Sequence, residues 1–414
     1  MSLMADTQAS LDPSAPAAAE VPGGLLIVTV DRLPAWMLSA WGATWVSTPT
    51  LDALAATGVV CDRVIATSLD PRSTLADLAG GGAVWRQAAA AGWRCALVTD
   101  DPGLPVREPE IDLFEVTATP ATATALEDGA TNLGRLCGTL QQVLATGAHR
   151  LVWCHAGSLG VAWDAPDSYR AAYIDPEDPP PPPGARVPSF SVTSGTDPDL
   201  VVGVRQVFAG QLTLLDRLLA DVFAAVRSAA DPWAILVVGL RGMPLGLHGA
   251  VGCDAGEPSG GLPYGEWVHL PAILVDAAGR MAGQRYGGLV TPADLGATLG
   301  DVMPATGGTR GAGRSLRGLF DNWSVPARDR VVVRAPAAAA LVTMGWHLVT
   351  DNPGPDAVKP RLFVKPDDFF ELCDVADRCP AVAEELHAAL DPVWQGDEAA
   401  AWRAPLSAAA TGLG

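Results

Sequence analysis

The sequence has no CxxC pair, no basic start followed by an apolar core, no apolar run near the ~18 residues that span a bilayer, and far fewer basic than acidic residues. Each absence excludes a class of protein. With 27 Lys and Arg against 46 Asp and Glu, the formal charge is −19. A field of that sign repels nucleic acids and anionic lipid surfaces at long range. Neither partner is expected. A small anionic ligand is still allowed, because it needs only a local positive pocket. The seven cysteines, at 61, 95, 137, 154, 253, 373 and 379, are scattered and odd in number, so they read as free, mostly buried thiols of a reducing compartment. Together with the lack of a secretory start in residues 1–20, this gives an expected cytoplasmic location.

What the chain does have is apolar material: 49% hydrophobic and 18% charged residues over 414 positions. That excludes general disorder and predicts one large domain with a smaller one. Short, nearly continuous apolar runs begin at Gly23 to Val30 and recur at Cys95 to Thr99, Leu151 to His155, Trp233 to Gly239 and Leu270 to Val275. Runs of this kind suit parallel strands buried on both faces. Amphipathic helix patterns lie between them, at Pro49 to Gly58, Val84 to Gly92, Leu133 to Thr146 and Val204 to Ala229. The alternation predicts a doubly wound, mostly parallel α/β sheet flanked by helices, with ligands beyond the carboxyl ends of its strands. The proline-rich stretch Asp175 to Pro188 predicts an irregular loop. Short strands at Val331 to Arg334, Ala340 to Thr343 and His347 to Thr350, with a helix at Ala381 to Leu390, predict a smaller α+β subdomain. The expected division is a disordered tail 1–22, an α/β domain 23–321, an α+β subdomain 322–395 and a loosely held tail 396–414.

Four segments, in order, resemble the sulfatase branch of the alkaline phosphatase superfamily. Ile27 to Asp31, Thr48 to Ala55 and Gly58-Val59 are similar to that family's opening strand, first aspartate and "TPNLDxLAxxG" helix. Leu151 to Pro166 follows. Leu245 to Gly249 and Tyr264 to Pro271 resemble "GEHG" and "YEExxRVPL", and Gly313 to Leu316 resembles "GRSL". The resemblance covers residues 24–390. It implies an alkaline-phosphatase-like fold and a pocket holding a Ca or Mg ion, a formylglycine nucleophile and basic groups around the ester.

Laid on that pocket, the chain departs at most positions. The paired metal aspartates match Asp31 and Arg32, and the later "DHG" or "DNG" matches Leu240, Arg241 and Gly242. Arginine cannot ligate a cation and leucine has no oxygen to offer. No metal is therefore expected; Asp31 is the one retained ligand, and paired with Arg32 or Arg241 it becomes an internal ion pair. Ser68 to Arg72 lies over C/S-x-P-x-R, placing Ser68 at the nucleophile and Arg72 at its supporting arginine, with Asp70 where proline belongs. Thr99-Asp100-Asp101-Pro102 stands in place of "GKWH", and a family histidine falls on Gly160. His248 keeps its motif position, behind Leu247 rather than glutamate, whereas His155 and His269 read as structural.

Three readings follow. One is a pseudoenzyme whose Arg32 and Arg241 serve a small anionic ligand. A second is an ester hydrolase using Ser68, Arg72, Arg241 and His248 without a cation. The third is an interaction module working through the proline-rich loop or the acidic surface.

Overall fold

The computed structural model describes residues 21–119, 121–252, 261–304, 313–323, 325, 328–351 and 359–412. Residues 1–20 of the expected N-terminal tail, and Cys253, lie outside them. Fourteen strands are present: β1 (Gly24–Val30), β2 (Val59–Ile65), β3 (Cys95–Thr99), β4 (Ile111–Val116), β5 (Leu151–Ala156), β6 (Phe190–Ser191), β7 (Trp233–Gly239), β8 (Ala250–Val251), β9 (His269–Val275), β10 (Gln284–Val290), β11 (Arg330–Arg334), β12 (Ala338–Thr343), β13 (Trp346–Asp351) and β14 (Arg361–Val364). Eight of them form one sheet in the order β10-β2-β9-β7-β1-β5-β3-β4, parallel except for β9.

The apolar runs form the middle of this sheet because they are buried on both faces. Alternate residues of β1 divide between two cores. Leu25 and Ile27 pack toward the helices Pro71–Leu78, Ala83–Ala90 and Pro292–Val302, whereas Leu26 and Val28 pack toward Pro49–Ala55, Asn132–Ala145 and Pro198–Arg227. Each fully buried Leu or Val contributes about 1.5–3 kcal/mol of transfer free energy. The helix Pro49–Ala55 is held at its start by Asp216, whose carboxylate accepts from the amides of Thr50 at 2.9 Å and Leu51 at 2.8 Å. No described helix is long and apolar enough to cross a membrane.

The second sheet is antiparallel, β11-β12-β13-β14, and its two faces serve different partners. Val331, Val333, Ala340, Val342, Val349 and Phe363 join the core of the large sheet. Val332, Ala339, Leu341, Leu348 and Leu362 pack against the helix Pro380–Trp394. Residues 396–412 depart from the expected loose tail. Ala401 and Ala410 are fully buried, and the carbonyls of Ala409 and Ala410 accept from the Trp346 indole and the Thr343 hydroxyl. Small alanine faces let this segment lie close on the sheet.

Several elements escaped the sequence reading. β2 carries Asp62 and Arg63 in mid-strand, β4 is a mostly exposed edge strand carrying Asp112 and Glu115, and β10 holds two glycines. The long helix also starts earlier than its apolar pattern, at Pro198, where the Asp197 side chain accepts from the Asp199 amide. The proline-rich stretch is irregular but pinned: Pro181 and Pro182 lie against Gly203, and Asp178 accepts from Gln206. Of the thiols, Cys61, Cys95, Cys137 and Cys154 are buried, while Cys379 is half-buried and Cys373 is exposed, contrary to its expected burial. Cys373 follows a turn closed by Asp368 rather than an apolar strand. Burial pushes the thiols of Cys61, Cys95 and Cys137 up to about 12, which keeps them protonated.

Candidate functional site

Parallel pairing brings the ends of four strands to one edge. Val30 lies opposite both Ala156 and Gly239, and Thr99 lies opposite His155. Asp31-Arg32, Gly157 to Gly160, Leu240-Arg241 and Asp100-Asp101 therefore emerge side by side. The ladder runs one step further, with the Asp31 amide on Ala156, the Leu240 amide on Val30 and the Leu33 amide on Arg241.

Across that edge Arg241 grips Asp31 with two parallel hydrogen bonds. Its Nε donates to Oδ1 at 2.8 Å and its Nη2 to Oδ2 at 3.0 Å. Both side chains are nearly buried, at 12% and 10% exposure. This is the planar fork that guanidinium and carboxylate share.

The residues present do not fit a divalent cation. Both Asp31 oxygens face Arg241, Leu240 is in the core, and no described group of three or more His, Cys, Asp or Glu is placed to hold a metal ion. A hard cation wants six or more oxygen ligands.

Arg32 turns away from Asp31. Its backbone is left-handed, with φ at 59°, uncommon for a side chain with a Cβ. The guanidinium lies where a side chain at position 160 would begin: a Cβ on Gly160 would fall 1.1 Å from Arg32 Nη1. Arg32 is only 6% exposed, its Nε has no partner, and it donates no hydrogen bond to any described residue. At the margin of the turn Gly157 to Gly160, burial pushes the Asp100 carboxyl up to about 6, against the Ser158 hydroxyl and the Gly157 amide, which donates to Oδ1 at 2.5 Å. His155, on β5, hydrogen-bonds Thr29 Oγ1 through Nδ1 at 3.1 Å, and burial lowers its pKa. It is a packed strand-end residue.

The other sequence candidates, Ser68, Arg72 and His248, make no described hydrogen bond to Asp31, Arg32 or Arg241. Ser68 is a loop hydroxyl that accepts from the Asp70 amide at 3.1 Å. Asp70 is the N-cap of Pro71–Leu78, its carboxylate accepting from the Arg72 amide, so the residue replacing the motif proline has a helix-starting role. Arg72 is exposed, and its guanidinium and the Asp101 carboxylate both lie against Gly103. His248 stacks on Tyr264 at 3.8 Å. Its Nδ1 donates to Glu266 Oε1 at 2.8 Å and its Nε2 to the Glu371 carbonyl at 3.2 Å. Burial lowers its pKa, but the Glu266 carboxylate outweighs that and the net shift is upward. Each ring nitrogen already faces an acceptor of the protein, Glu266 Oε1 or the Glu371 carbonyl. His269 is neutral, pushed down to about 4 by burial, with Nε2 donating to the Asp62 carbonyl.

One residue the sequence reading passed over is the most heavily bonded acid near this seam. Glu371 accepts from His347 Nδ1 at 2.5 Å, Lys365 Nζ at 2.8 Å and the Gly265 amide at 2.7 Å. Burial alone would raise its pKa, yet His347 and Lys365 hold it well below the carboxylate range. Its φ of 57° is also left-handed. No motif surrounds Glu371, and its partners come from three separate segments.

This fold is shared with known enzymes. The structure of a phosphonate monoester hydrolase from Agrobacterium radiobacter superposes with a TM-score of 0.68 at 17% identity, covering 89% of this chain and 94% of that one. A second phosphonate monoester hydrolase, from Silicibacter pomeroyi, gives 0.66 at 16%, over 90% and 94%. A 2-O GAG sulfatase gives 0.67 at 14%, over 95% and 96%. No family model and no curated protein matches the sequence. The chain thus shares the fold of these phosphonate monoester hydrolases and sulfatases, at a sequence distance where likeness speaks for fold alone.

Proposed function

We propose that this chain is a non-hydrolysing protein of the sulfatase-like fold that binds a small tetrahedral oxyanion at the end of β1. The carrying observation is the Asp31–Arg241 fork, which occupies both oxygens of the one carboxylate retained at the family's cation position. With that carboxylate neutralised, Arg32 brings a nearly buried positive charge without an acceptor. Guanidinium matches sulfate and phosphate oxygens in shape and charge. Ester hydrolysis finds less support. No described base is hydrogen-bonded to Ser68, both nitrogens of His248 are engaged, and Asp100 and Asp101 stand where the resemblance would place basic groups. Losing one transition-state donor costs ~10²–10³ in rate, and here several are replaced together.

The test is thermal unfolding of metal-stripped protein with sulfate, phosphate, Ca²⁺ or Mg²⁺, alongside turnover of aryl sulfates and phosphates. Sulfate or phosphate at 100 times its Kd should stabilise by about 2.7 kcal/mol, and not in Arg32→Gln. A comparable shift from Ca²⁺ or Mg²⁺, or ester turnover abolished by Ser68→Ala, would overturn the reading in favour of a hydrolase.

A further inference from the structure

A second cavity lies between the two sheets, with a volume of about 510 Å³. It shares none of its lining residues with the β1 edge. Volumes of this order hold small organic molecules. Its walls are largely apolar: Ile65 from β2, Val268, Val342 from β12, Pro366, Phe369 and Trp41. Its charged lining is mostly neutralised from within. Asp62 pairs with Arg285 at the exposed rim, and Lys365 pairs with the buried Glu371. Two groups are left over.

The first is Arg63, which emerges from the middle of β2. Its Nη1 donates to the Met344 carbonyl at 2.8 Å, and no described carboxylate oxygen lies within ion-pair distance. Half burial lowers its pKa, against the opposing charge of the neighbouring Asp62, which is itself paired with Arg285. The second is His347, whose Nδ1 is bound to Glu371 and whose Nε2 is buried without a partner. Both line the cavity. Each keeps unspent hydrogen-bonding capacity beyond its structural bond: Arg63 has no described carboxylate partner, and one ring nitrogen of His347 is an orphan.

We propose that this cavity binds a singly charged anionic amphiphile, with the apolar body against Ile65, Val268 and Phe369 and the head group on Arg63. The unpartnered Nε2 of His347 is the second polar contact, donating to the head group when the ring is protonated. An uncharged molecule of the same shape would leave Arg63 unmatched, so the site discriminates by charge. An inorganic anion lacks the body that fills the apolar space.

The experiment is a fluorescence titration of the full chain with 1-anilinonaphthalene-8-sulfonate, followed by displacement with octanoate, octyl sulfate, octanol and inorganic sulfate. We expect one saturable site, displaced by octanoate or octyl sulfate at concentrations at least ~10-fold lower than octanol, since a charge-assisted hydrogen bond is worth that factor or more. Inorganic sulfate should not compete. Arg63→Gln should weaken octanoate by about tenfold or more. Gly287→Trp should block entry; Gly287 lines the cavity, and a Cβ there meets nothing within 4 Å, so this variant tests the site even if Arg63→Gln fails to fold. Arg32→Gln should leave the probe's affinity unchanged. No saturable site, equal displacement by octanol, or binding indifferent to both cavity variants would overturn the proposal. So would loss of the probe in Arg32→Gln, which would place the ligand at the β1 edge.

Discussion

Two buried acids of this molecule each face two cationic side chains, and the outcomes differ. Glu371 receives Lys365, His347 and a backbone amide together. Asp31 receives Arg241 alone, while Arg32, its neighbour in the chain, turns into the gap at Gly160. The first arrangement closes a seam between the two sheets. The second leaves the Arg32 Nε without a described partner. Each cluster keeps one unpartnered nitrogen, Arg32 Nε in one and His347 Nε2 in the other, so the two differ in how many cations the acid itself engages.

Five substitutions can break or sharpen this contrast. The largest effect should come from Glu371→Gln, which strands Lys365 and His347 in a buried site. Denaturant unfolding should show a loss of about 3–5 kcal/mol. Asp31→Asn should cost less, about 2–3 kcal/mol by the same measurement, because it strands one cation rather than two and Asp31 keeps 10% exposure against 1% for Glu371. Added sulfate should recover part of that loss and none of the Glu371→Gln loss. Equal costs, both insensitive to sulfate, would erase the distinction.

The pH dependence comes next. His269 falls from its ordinary 6.5 to about 4 on folding, so between those values the unfolded chain binds more protons. Stability should rise with pH across that window, by up to about 1.4 kcal/mol per unit, and His269→Asn should flatten the rise. His248 has the opposite sign. Its raised pKa contributes stability that is complete below 6.5 and is lost as pH climbs through the folded value. Unfolding free energies of the His248→Asn variant should therefore converge with those of the parent at high pH. The smallest effect is reserved for Ser68→Ala. Its hydroxyl only accepts from the Asp70 amide, so the cost should stay within about 1 kcal/mol, with oxyanion binding unchanged.

The strands of the sheet's middle were legible because burial on both faces leaves an uninterrupted apolar signature, as in Leu25 to Val30 and Trp233 to Gly239. β2 was not, because Asp62 and Arg63 face the space between the sheets and read as a break in any apolar pattern. The same two residues line the cavity, so what hid the strand is what makes it interesting. At the β1 edge the identities of Asp31, Arg32, Leu240 and Arg241 were plain from their places after two apolar runs. Glu371 was invisible, since a glutamate among the acids of Asp367 to Asp374 looks like any solvated surface residue.

Residue order alone was enough for the alternation of strand and helix and for the acid and arginines at the strand ends; the expected lack of cation-holding oxygens there came from the family resemblance. It left open which arginine pairs with Asp31. Folding answers with Arg241, 210 positions away, because β1 and β7 run parallel and in register, setting Gly239 beside Val30 and both following side chains over the same edge. Arg32 is adjacent in sequence, but its left-handed backbone directs it to the opposite side, where Gly160 has left room.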